Sequence, residues 1–158
     1  MSAQAAVAPI QRSVVVDAPP ERAFEVFTER LGTWWPSDYS VVEGGYGTAI
    51  IEPRAGGRWY ERGATGAECD VGEVLVYEPP SRLVLTWRLD AEFNVEPDPA
   101  RASEIEVRFV PDRDGTRVEL EHRHFERHGA GGAVVAETVG GEGGWGTLLG
   151  IYAEAAAA

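Results

Sequence analysis

Two spacings of apolar residues divide the chain. In residues 103–109 and 116–124 apolar and charged side chains alternate, which predicts strands with one covered face and one solvated face. In residues 17–32 and 145–156 apolar side chains recur three and four positions apart, which predicts amphipathic helices. The chain therefore combines sheet and helix, and the last helix can cover one face of the sheet.

Between these two helices, short apolar runs alternate with clusters of Gly, Pro, Asp and Arg that are typical of turns. The short links between the runs predict an antiparallel meander. The longest polar link, residues 94–102, predicts a mobile loop, and residues 131–139 predict a short helix. The predicted strands lie near residues 10–16, 47–52, 57–63, 70–77, 82–90, 103–110 and 116–124.

These elements fit a single domain. A chain of 158 residues is long enough to bury about two-thirds of its unfolded surface in one core. We expect a weakly ordered lead-in over residues 1–9 and one domain over residues 10–158. The predicted class is α+β, with a curved antiparallel sheet that wraps around a long C-terminal helix.

Composition and charge narrow the possible partners. The net charge of −12 argues against nucleic acid and against anionic membrane surfaces. Every cationic residue is arginine, so lysine chemistry such as a Schiff base is excluded. The single Cys69 excludes a disulfide framework and favours a reducing compartment. Because the sequence shows neither a signal peptide nor an apolar run of membrane-spanning length, we expect a cytoplasmic protein.

All three histidines lie in the segment VELEHRHFERHG. His122 and His124 have the parity of the covered strand face, whereas His128 lies past the predicted end of the strand. A zinc site needs at least three protein ligands, and His128 could join the other two only through a sharp chain reversal. We therefore favour His122 as a polar point on the covered face, His124 near its rim and His128 in the exit loop, rather than a metal site.

The five tryptophans are spread over four predicted segments, with Trp34 and Trp35 adjacent. Taken singly, each is explained by core packing; taken together with His122, they suit an apolar pocket with a few polar points. Glu61 has the same strand parity as Trp59, so an inward Trp59 carries a carboxylate inward. A buried carboxylate needs a partner, for which His122 or an arginine is available.

Five segments of the chain, in this order, resemble a known family. They cover nearly the whole sequence and place Trp35, Trp59, Trp87, His122 and Trp145 at positions of the family pattern. The chain resembles the SRPBCC (START-like) superfamily, and within it the branch similar to the C-terminal domain of the activator of the heat-shock chaperone ATPase. The segments are VDAPPERAFEVFTERLGTWWP, GGRWYER, GEVLVYEPPSRLVLTW, VRFVPDRDGTRVELEH and GGWGTLLGIY.

The resemblance implies a helix-grip fold with a hydrophobic cavity between the sheet and the last helix. Superfamily members bind lipids, sterols and other apolar molecules, and some cyclise polyketides. We therefore predict a cytoplasmic protein that binds a small apolar or aromatic molecule without a cofactor, with His122 orienting one polar group of the ligand. The residues predicted to line the cavity or its mouth are Trp34, Trp35, Trp59, Trp87, Phe109, His122, Trp145, Leu149 and Tyr152.

Two alternative functions stay open at this point. One is a polyketide cyclase or dehydratase in which His122 and Glu61 transfer protons. The other is a protein–protein module that modulates a chaperone ATPase, with a binding surface built from arginine because the chain has no lysine. A homodimer is a further possibility, although the solvated outer face of the sheet marks no clear dimer patch.

Overall fold

A computed structural model describes residues 7–158, so residues 1–6 of the predicted lead-in lie outside the described part of the chain. The strands are β1 (Ile10–Val16), β2 (Tyr46–Ile51), β3 (Arg58–Gly63), β4 (Glu68–Glu78), β5 (Arg82–Trp87), β6 (Ser103–Asp112) and β7 (Gly115–Arg123). The α-helices are α1 (Pro20–Phe27), α2 (Leu31–Trp34), α3 (Gly132–Gly140) and α4 (Trp145–Ala157). Short 3₁₀ helices occupy Ser37–Tyr39, Pro99–Arg101 and Phe125–Gly131.

The seven strands form one curled sheet in the order β1-β7-β6-β5-β4-β3-β2. All neighbours are antiparallel, and β2 to β7 follow one another as a meander, as the short links predict. The first strand pairs with the last and forms one edge of the sheet. The predicted α+β class, with a sheet wrapped around the C-terminal helix, is confirmed.

Helix α4 lies against the inner face of the sheet. The stripe predicted from its spacing is buried, and it consists of Trp145, Leu148, Leu149, Tyr152 and Ala156. The Tyr152 hydroxyl donates to the carbonyl of Ala23 at 2.7 Å, which ties α4 to α1. The Tyr152 ring also packs edge-on against Phe27, with 5.1 Å between ring centroids. Helix and sheet therefore share one aromatic core.

The outer face of the sheet carries paired charges. Glu106 is almost fully buried, and its carboxylate receives hydrogen bonds from Arg82, Arg108 and Arg123. Burial alone would raise the pKa of Glu106, but the three guanidinium groups outweigh it and hold the pKa at about 2. The alternation in β6 and β7 thus separates an apolar inner face from a charged outer one.

Some element boundaries differ from the predicted ones. The first helix was expected over residues 17–32, but α1 ends at Phe27, where the Thr28 hydroxyl bonds the carbonyl of Phe24 at 2.7 Å. Strand β5 ends at Trp87 instead of residue 90, although the backbone N–H of Arg88 still donates to the carbonyl of Val71 on the neighbouring β4. Within residues 7–158, no helix is long and apolar enough to cross a membrane.

Candidate functional site

A small cavity lies on the inner face of the sheet, next to α4. Its volume is about 30 Å³. Strands β3, β4 and β5 supply one wall, and α4 and the segments around α2 and residue 90 close it. We call it the Glu61 cavity. It is lined by Trp35, Tyr39, Trp59, Glu61, Val71, Trp87, Leu89, Phe93 and Leu148.

Most of the interior is filled by side chains, which explains the small volume. Phe109 packs against Phe24 with ring centroids 5.0 Å apart, and Tyr152 packs against Trp34 at 5.3 Å. Leu149 is also fully buried. The structure therefore places these predicted lining residues in the packed core behind the Glu61 cavity, while Trp35, Trp59 and Trp87 form its walls.

The three wall indoles form a continuous aromatic surface. Trp35 lies after α2, Trp59 on β3 and Trp87 at the end of β5. The ring centroids of Trp35 and Trp59 are 6.1 Å apart with planes at 88°, and those of Trp59 and Trp87 are 5.8 Å apart at 54°. The first contact is edge-to-face and the second is tilted, and together they hold the three rings in place.

The tryptophans differ in how their indole N–H groups are satisfied. Trp34 donates to the carbonyl of Val26 at 2.9 Å, and Trp145 donates to His122. The indole N–H of Trp35 is buried and has no acceptor among the described residues. Because buried donors are nearly always paired, this group stands out in the wall of the cavity.

Glu61 is the charged residue of the cavity lining, and only 3% of its surface is exposed. Its Oε1 accepts from the backbone N–H of Val41 at 2.8 Å and from the Ser40 hydroxyl at 3.3 Å. No hydrogen bond from the part of the chain that the structure describes reaches Oε2. Trp59 and Glu61 both line the cavity, as their shared parity predicts.

The charge of Glu61 contributes to the pKa shifts of two neighbouring groups. Cys69 pairs with Glu61 across β3 and β4, and burial together with the Glu61 carboxylate raises the pKa of its thiol. Burial and the same carboxylate raise the pKa of Tyr46, whose buried hydroxyl also has no partner within residues 7–158. Cys69 and Tyr46 are therefore neutral near pH 7, and neither compensates the charge of Glu61.

A second buried polar group, which we call the His122 cluster, consists of His122, Ser103, His128 and Trp145. The indole N–H of Trp145 donates to Nδ1 of His122 at 3.0 Å, so the neutral ring carries its proton on Nε2. Nε2 lies 2.8 Å from Oγ of Ser103, and the same Oγ lies 2.8 Å from Nε2 of His128. Burial, and secondarily the neighbouring His128, lowers the pKa of His122 well below its usual range.

A sharp chain reversal after β7 brings the side chain of His128 back to the sheet. The chain leaves β7 at Arg123, adopts a left-handed conformation at His124 with φ 65°, and folds back. His128 lies in the exit segment, as predicted, but its buried side chain returns to Ser103 beneath β6. His124 no longer follows strand parity, is half-buried and lies near Glu126. Within residues 7–158, no cluster of His, Cys, Asp and Glu is arranged to hold a metal ion.

The structure does not bring Glu61 and His122 together as an acid/base pair. Glu61 is held by Ser40 and Val41, whereas both ring nitrogens of His122 are engaged inside its own cluster. The hydrogen-bond partners of Glu61 and of His122 were not predicted from the sequence. The backbone N–H of Val41 leaves no signal in a sequence, and Ser103 could be found only as a polar residue at the start of a buried strand.

A wider depression of about 560 Å³ lies on the outer face of the sheet between β1, β7 and β6. Several of its charged and polar groups bond one another: Gln11 donates to Glu121 at 2.9 Å, and Arg108 donates to Glu106 at 2.9 Å. It is shallow and solvated, with neither aromatic walls nor an unpaired buried group among its lining residues. The Glu61 cavity is therefore the better candidate site.

The curled seven-stranded sheet, the gripped C-terminal helix and the internal aromatic cavity define a helix-grip protein of the SRPBCC superfamily. Among solved structures, the chain is similar to Txn09, an anthrahydroquino-γ-pyrone synthase, with 41% identity, coverage of 94% of this chain and 97% of that chain, and a TM-score of 0.65. It is similar to CalC, a self-sacrificing resistance protein from Micromonospora echinospora, with 30% identity, 94% and 93% coverage and a TM-score of 0.66.

A third structure, protein NE0264 from Nitrosomonas europaea, matches with 20% identity, 94% and 93% coverage and a TM-score of 0.65, and supports the fold alone. The profile of the Activator of Hsp90 ATPase homolog 1-like protein family matches residues 17–153. The chain belongs to this family, and the resemblance predicted from its segments is confirmed. No curated protein matches the sequence.

Proposed function

We propose that the protein binds a planar, polycyclic aromatic molecule of the aromatic-polyketide kind, with one end of the ligand in the Glu61 cavity. One observation carries the proposal: Glu61 is buried among three indoles, and its Oε2 has no partner among the described residues. Indole walls suit a flat apolar ring system, and a single polar group can orient it. The similarity to the synthase Txn09 supports this ligand class.

The closed cavity holds only the end of such a ligand. A volume of about 30 Å³ is room for about two water molecules, so the remaining rings need space that opens at the mouth. Phe93 lines the cavity and is 45% exposed, and it follows β5 in the long link to β6. In our proposal Phe93 moves aside as the ligand enters between it and Tyr39.

The residues predicted to form the site take different roles in this proposal. Trp35, Trp59 and Trp87 contact the ligand rings. The orienting role predicted for His122 passes to Glu61, because both nitrogens of His122 already bond to Ser103 and Trp145. The remaining predicted residues support the indole walls from behind, and they are Trp34, Phe109, Trp145, Leu149 and Tyr152.

A blocking variant tests the proposal. We expect 2-hydroxyanthraquinone to quench tryptophan fluorescence and to raise the Tm of the wild-type protein. Val71→Phe fills the cavity from its buried wall and is expected to weaken binding at least about tenfold, since overlap with the ligand removes its contacts. Val134→Phe adds the same bulk on the exposed face of α3 and is the matched control.

Wild-type affinity for V134F and lost affinity for folded V71F support the cavity as the binding site. Absence of binding to the wild-type protein, or equal binding to both variants, contradicts it. Circular dichroism of V71F establishes that the variant is folded.

A second candidate function is catalysis of a polyketide cyclisation on the bound ligand. The unpaired Oε2 of Glu61 favours it, since a carboxylate with a free oxygen can accept a proton from an acidic C–H or O–H group of the ligand. Product analysis by mass spectrometry tests it. Loss of turnover in Glu61→Gln at a ligand concentration that saturates the variant supports proton transfer by Glu61, and undiminished turnover in that variant contradicts it.

A further inference from the structure

Two residues of the Glu61 cavity lining each carry a polar atom that has no partner among residues 7–158. These atoms are Oε2 of Glu61 and the indole N–H of Trp35, on side chains whose residues are 3% and 8% exposed. Buried polar groups in proteins are almost always hydrogen-bonded, and an unpaired one destabilises the fold. One atom is an acceptor and the other a donor, so a complementary ligand supplies one donor and one acceptor.

The charge of the residues that line the cavity further restricts the class of ligand. Among the described residues that line the cavity none is an arginine or a histidine, and Glu61 contributes a negative charge. A fatty acid or another carboxylate would place a second anion beside Glu61, which low-dielectric surroundings make unfavourable. A pure hydrocarbon would leave both polar atoms unpaired. The cavity therefore favours a neutral ligand with polar groups of both kinds.

We propose that the ligand is a hydroxy-substituted aromatic carbonyl compound, such as a hydroxyquinone, whose hydroxyl donates to Oε2 of Glu61 and whose carbonyl accepts from the indole N–H of Trp35. This inference rests on the proposed function and adds the chemical class of the ligand and two specificity-determining residues. Trp59 and Trp87 contact the ring faces and contribute affinity without distinguishing between substituents.

Tyr46 offers an internal alternative that the test must separate. Its buried hydroxyl lacks a partner among the described residues and lies close enough to Glu61 for the carboxylate to raise the pKa of that hydroxyl. If Tyr46 donated to Oε2 in solution, it would compete with the ligand hydroxyl for that oxygen. Tyr46→Phe removes that competitor and keeps the ring.

The probes are three aromatic molecules that differ by one group. 2-Hydroxyanthraquinone has both polar groups, 2-methoxyanthraquinone lacks the donor and 2-hydroxyanthracene lacks the carbonyls. At a pH that keeps the phenol neutral, we expect the hydroxyquinone to bind at least about tenfold more tightly than the methoxy compound, because its hydroxyl bonds a charged acceptor. We expect a difference of about threefold from 2-hydroxyanthracene, because that bond joins neutral groups.

Variants assign each preference to a residue. Glu61→Gln is expected to reduce the preference for hydroxyl over methoxy to less than about threefold, since the carboxylate charge is gone. Trp35→Phe is expected to abolish the preference for anthraquinone over anthracene while leaving the preference for hydroxyl. Glu73→Gln changes the net charge equally at an exposed residue of β4 and is the matched control. Tyr46→Phe is expected to retain both preferences.

The outcomes separate this inference from the proposed function. If all three probes bind equally to the wild-type protein, or if Tyr46→Phe creates a hydroxyl preference that the wild type lacks, the inference is overturned and the binding function stands. If no probe binds, both are overturned. If the preferences appear and E61Q and W35F each remove their own, the inference is supported.

Discussion

The His122 cluster and the Glu61 cavity differ in how completely their buried polar atoms are paired. In the His122 cluster, both nitrogens of His122, the hydroxyl of Ser103 and the indole N–H of Trp145 have partners. In the Glu61 cavity, one carboxylate oxygen and the indole N–H of Trp35 have none among the described residues. One site lies in packed core, and the other borders a void.

In our proposal, this difference separates a structural role for the His122 cluster from a binding role for the Glu61 cavity. A fully paired polar network in a low-dielectric core stabilises one arrangement and has no group left for a ligand. A half-paired site with a void costs stability in the free protein and regains it when a ligand completes the bonds. A buried histidine is thus a weaker indicator of function here than a buried carboxylate with a free oxygen.

The largest effect on stability is expected from His122→Ala. The substitution leaves a cavity in packed core and removes the partners of Trp145 and Ser103, which together cost about 3 kcal/mol of unfolding free energy. Urea unfolding measures it. His124→Ala, at a half-buried position outside the cluster, is the control and should change stability by less than about 0.5 kcal/mol. Equal losses of unfolding free energy in the two variants would contradict a structural role for the His122 cluster.

Ser103→Ala should have the next largest effect. It removes the hydroxyl between His122 and His128 and leaves two buried imidazole nitrogens unpaired, at a cost of about 2 kcal/mol. The volume change is small, so this loss reports the hydrogen bonds rather than packing. Unfolding of S103A measured above pH 7 gives the value, and a loss below about 0.5 kcal/mol would show that the bridge contributes little.

Acidic pH should lower the unfolding free energy of the protein through the His122 cluster. Burial lowers the pKa of His122 and of His128, so the folded state keeps both rings neutral while the unfolded chain takes up protons below pH 6.5. Stability is full above pH 6.5 and falls as the pH decreases, by at most about 1.4 kcal/mol per pH unit for each ring.

Below pH 4.5, protonation of unfolded Glu106, whose folded pKa is about 2, adds a further loss. Unfolding free energies measured between pH 7.5 and pH 5 isolate the histidine contribution, since Glu106 is ionised in both states over most of that interval. A flat profile there would contradict the neutral, buried cluster.

The smallest effect on stability is expected at the other site. Glu61→Gln keeps an oxygen for the backbone N–H of Val41 and removes a buried charge, so the unfolding free energy should change by less than about 1 kcal/mol. Binding of 2-hydroxyanthraquinone should nevertheless weaken about tenfold. The two measurements together test the comparison of the sites. We expect H122A mainly to lower the unfolding free energy and E61Q mainly to lower the affinity for the ligand. A loss of stability in E61Q as large as in H122A would contradict it.

The sequence predicts the parts of this protein that depend on local periodicity. Alternation in β6 and β7 separates their faces, and the stripe of α4 is buried as its spacing predicts. Parity also places Glu61 with Trp59. The return of His128 depends on the left-handed conformation of His124, which no apolar pattern records. The volume of the cavity depends on how aromatic rings from distant segments interlock, and single-residue spacing does not determine it.

Several predictions from the sequence stay predictions. The contact with a chaperone, the homodimer and the cytoplasmic location rest on composition and on the resemblance. Addition of the protein to a chaperone ATPase assay tests the first: a change in turnover supports it, and an unchanged rate counts against it.

The five indole N–H signals in a two-dimensional ¹H–¹⁵N spectrum test the central claim most directly. Trp35, Trp59 and Trp87 line the Glu61 cavity, whereas Trp34 and Trp145 donate to partners in the core. On addition of 2-hydroxyanthraquinone, we expect the three cavity signals to shift, with Trp35 shifting most, and the two core signals to stay. A shift of Trp145 with unchanged Trp59 and Trp87, or no shift at saturating ligand, would contradict the Glu61 cavity as the binding site.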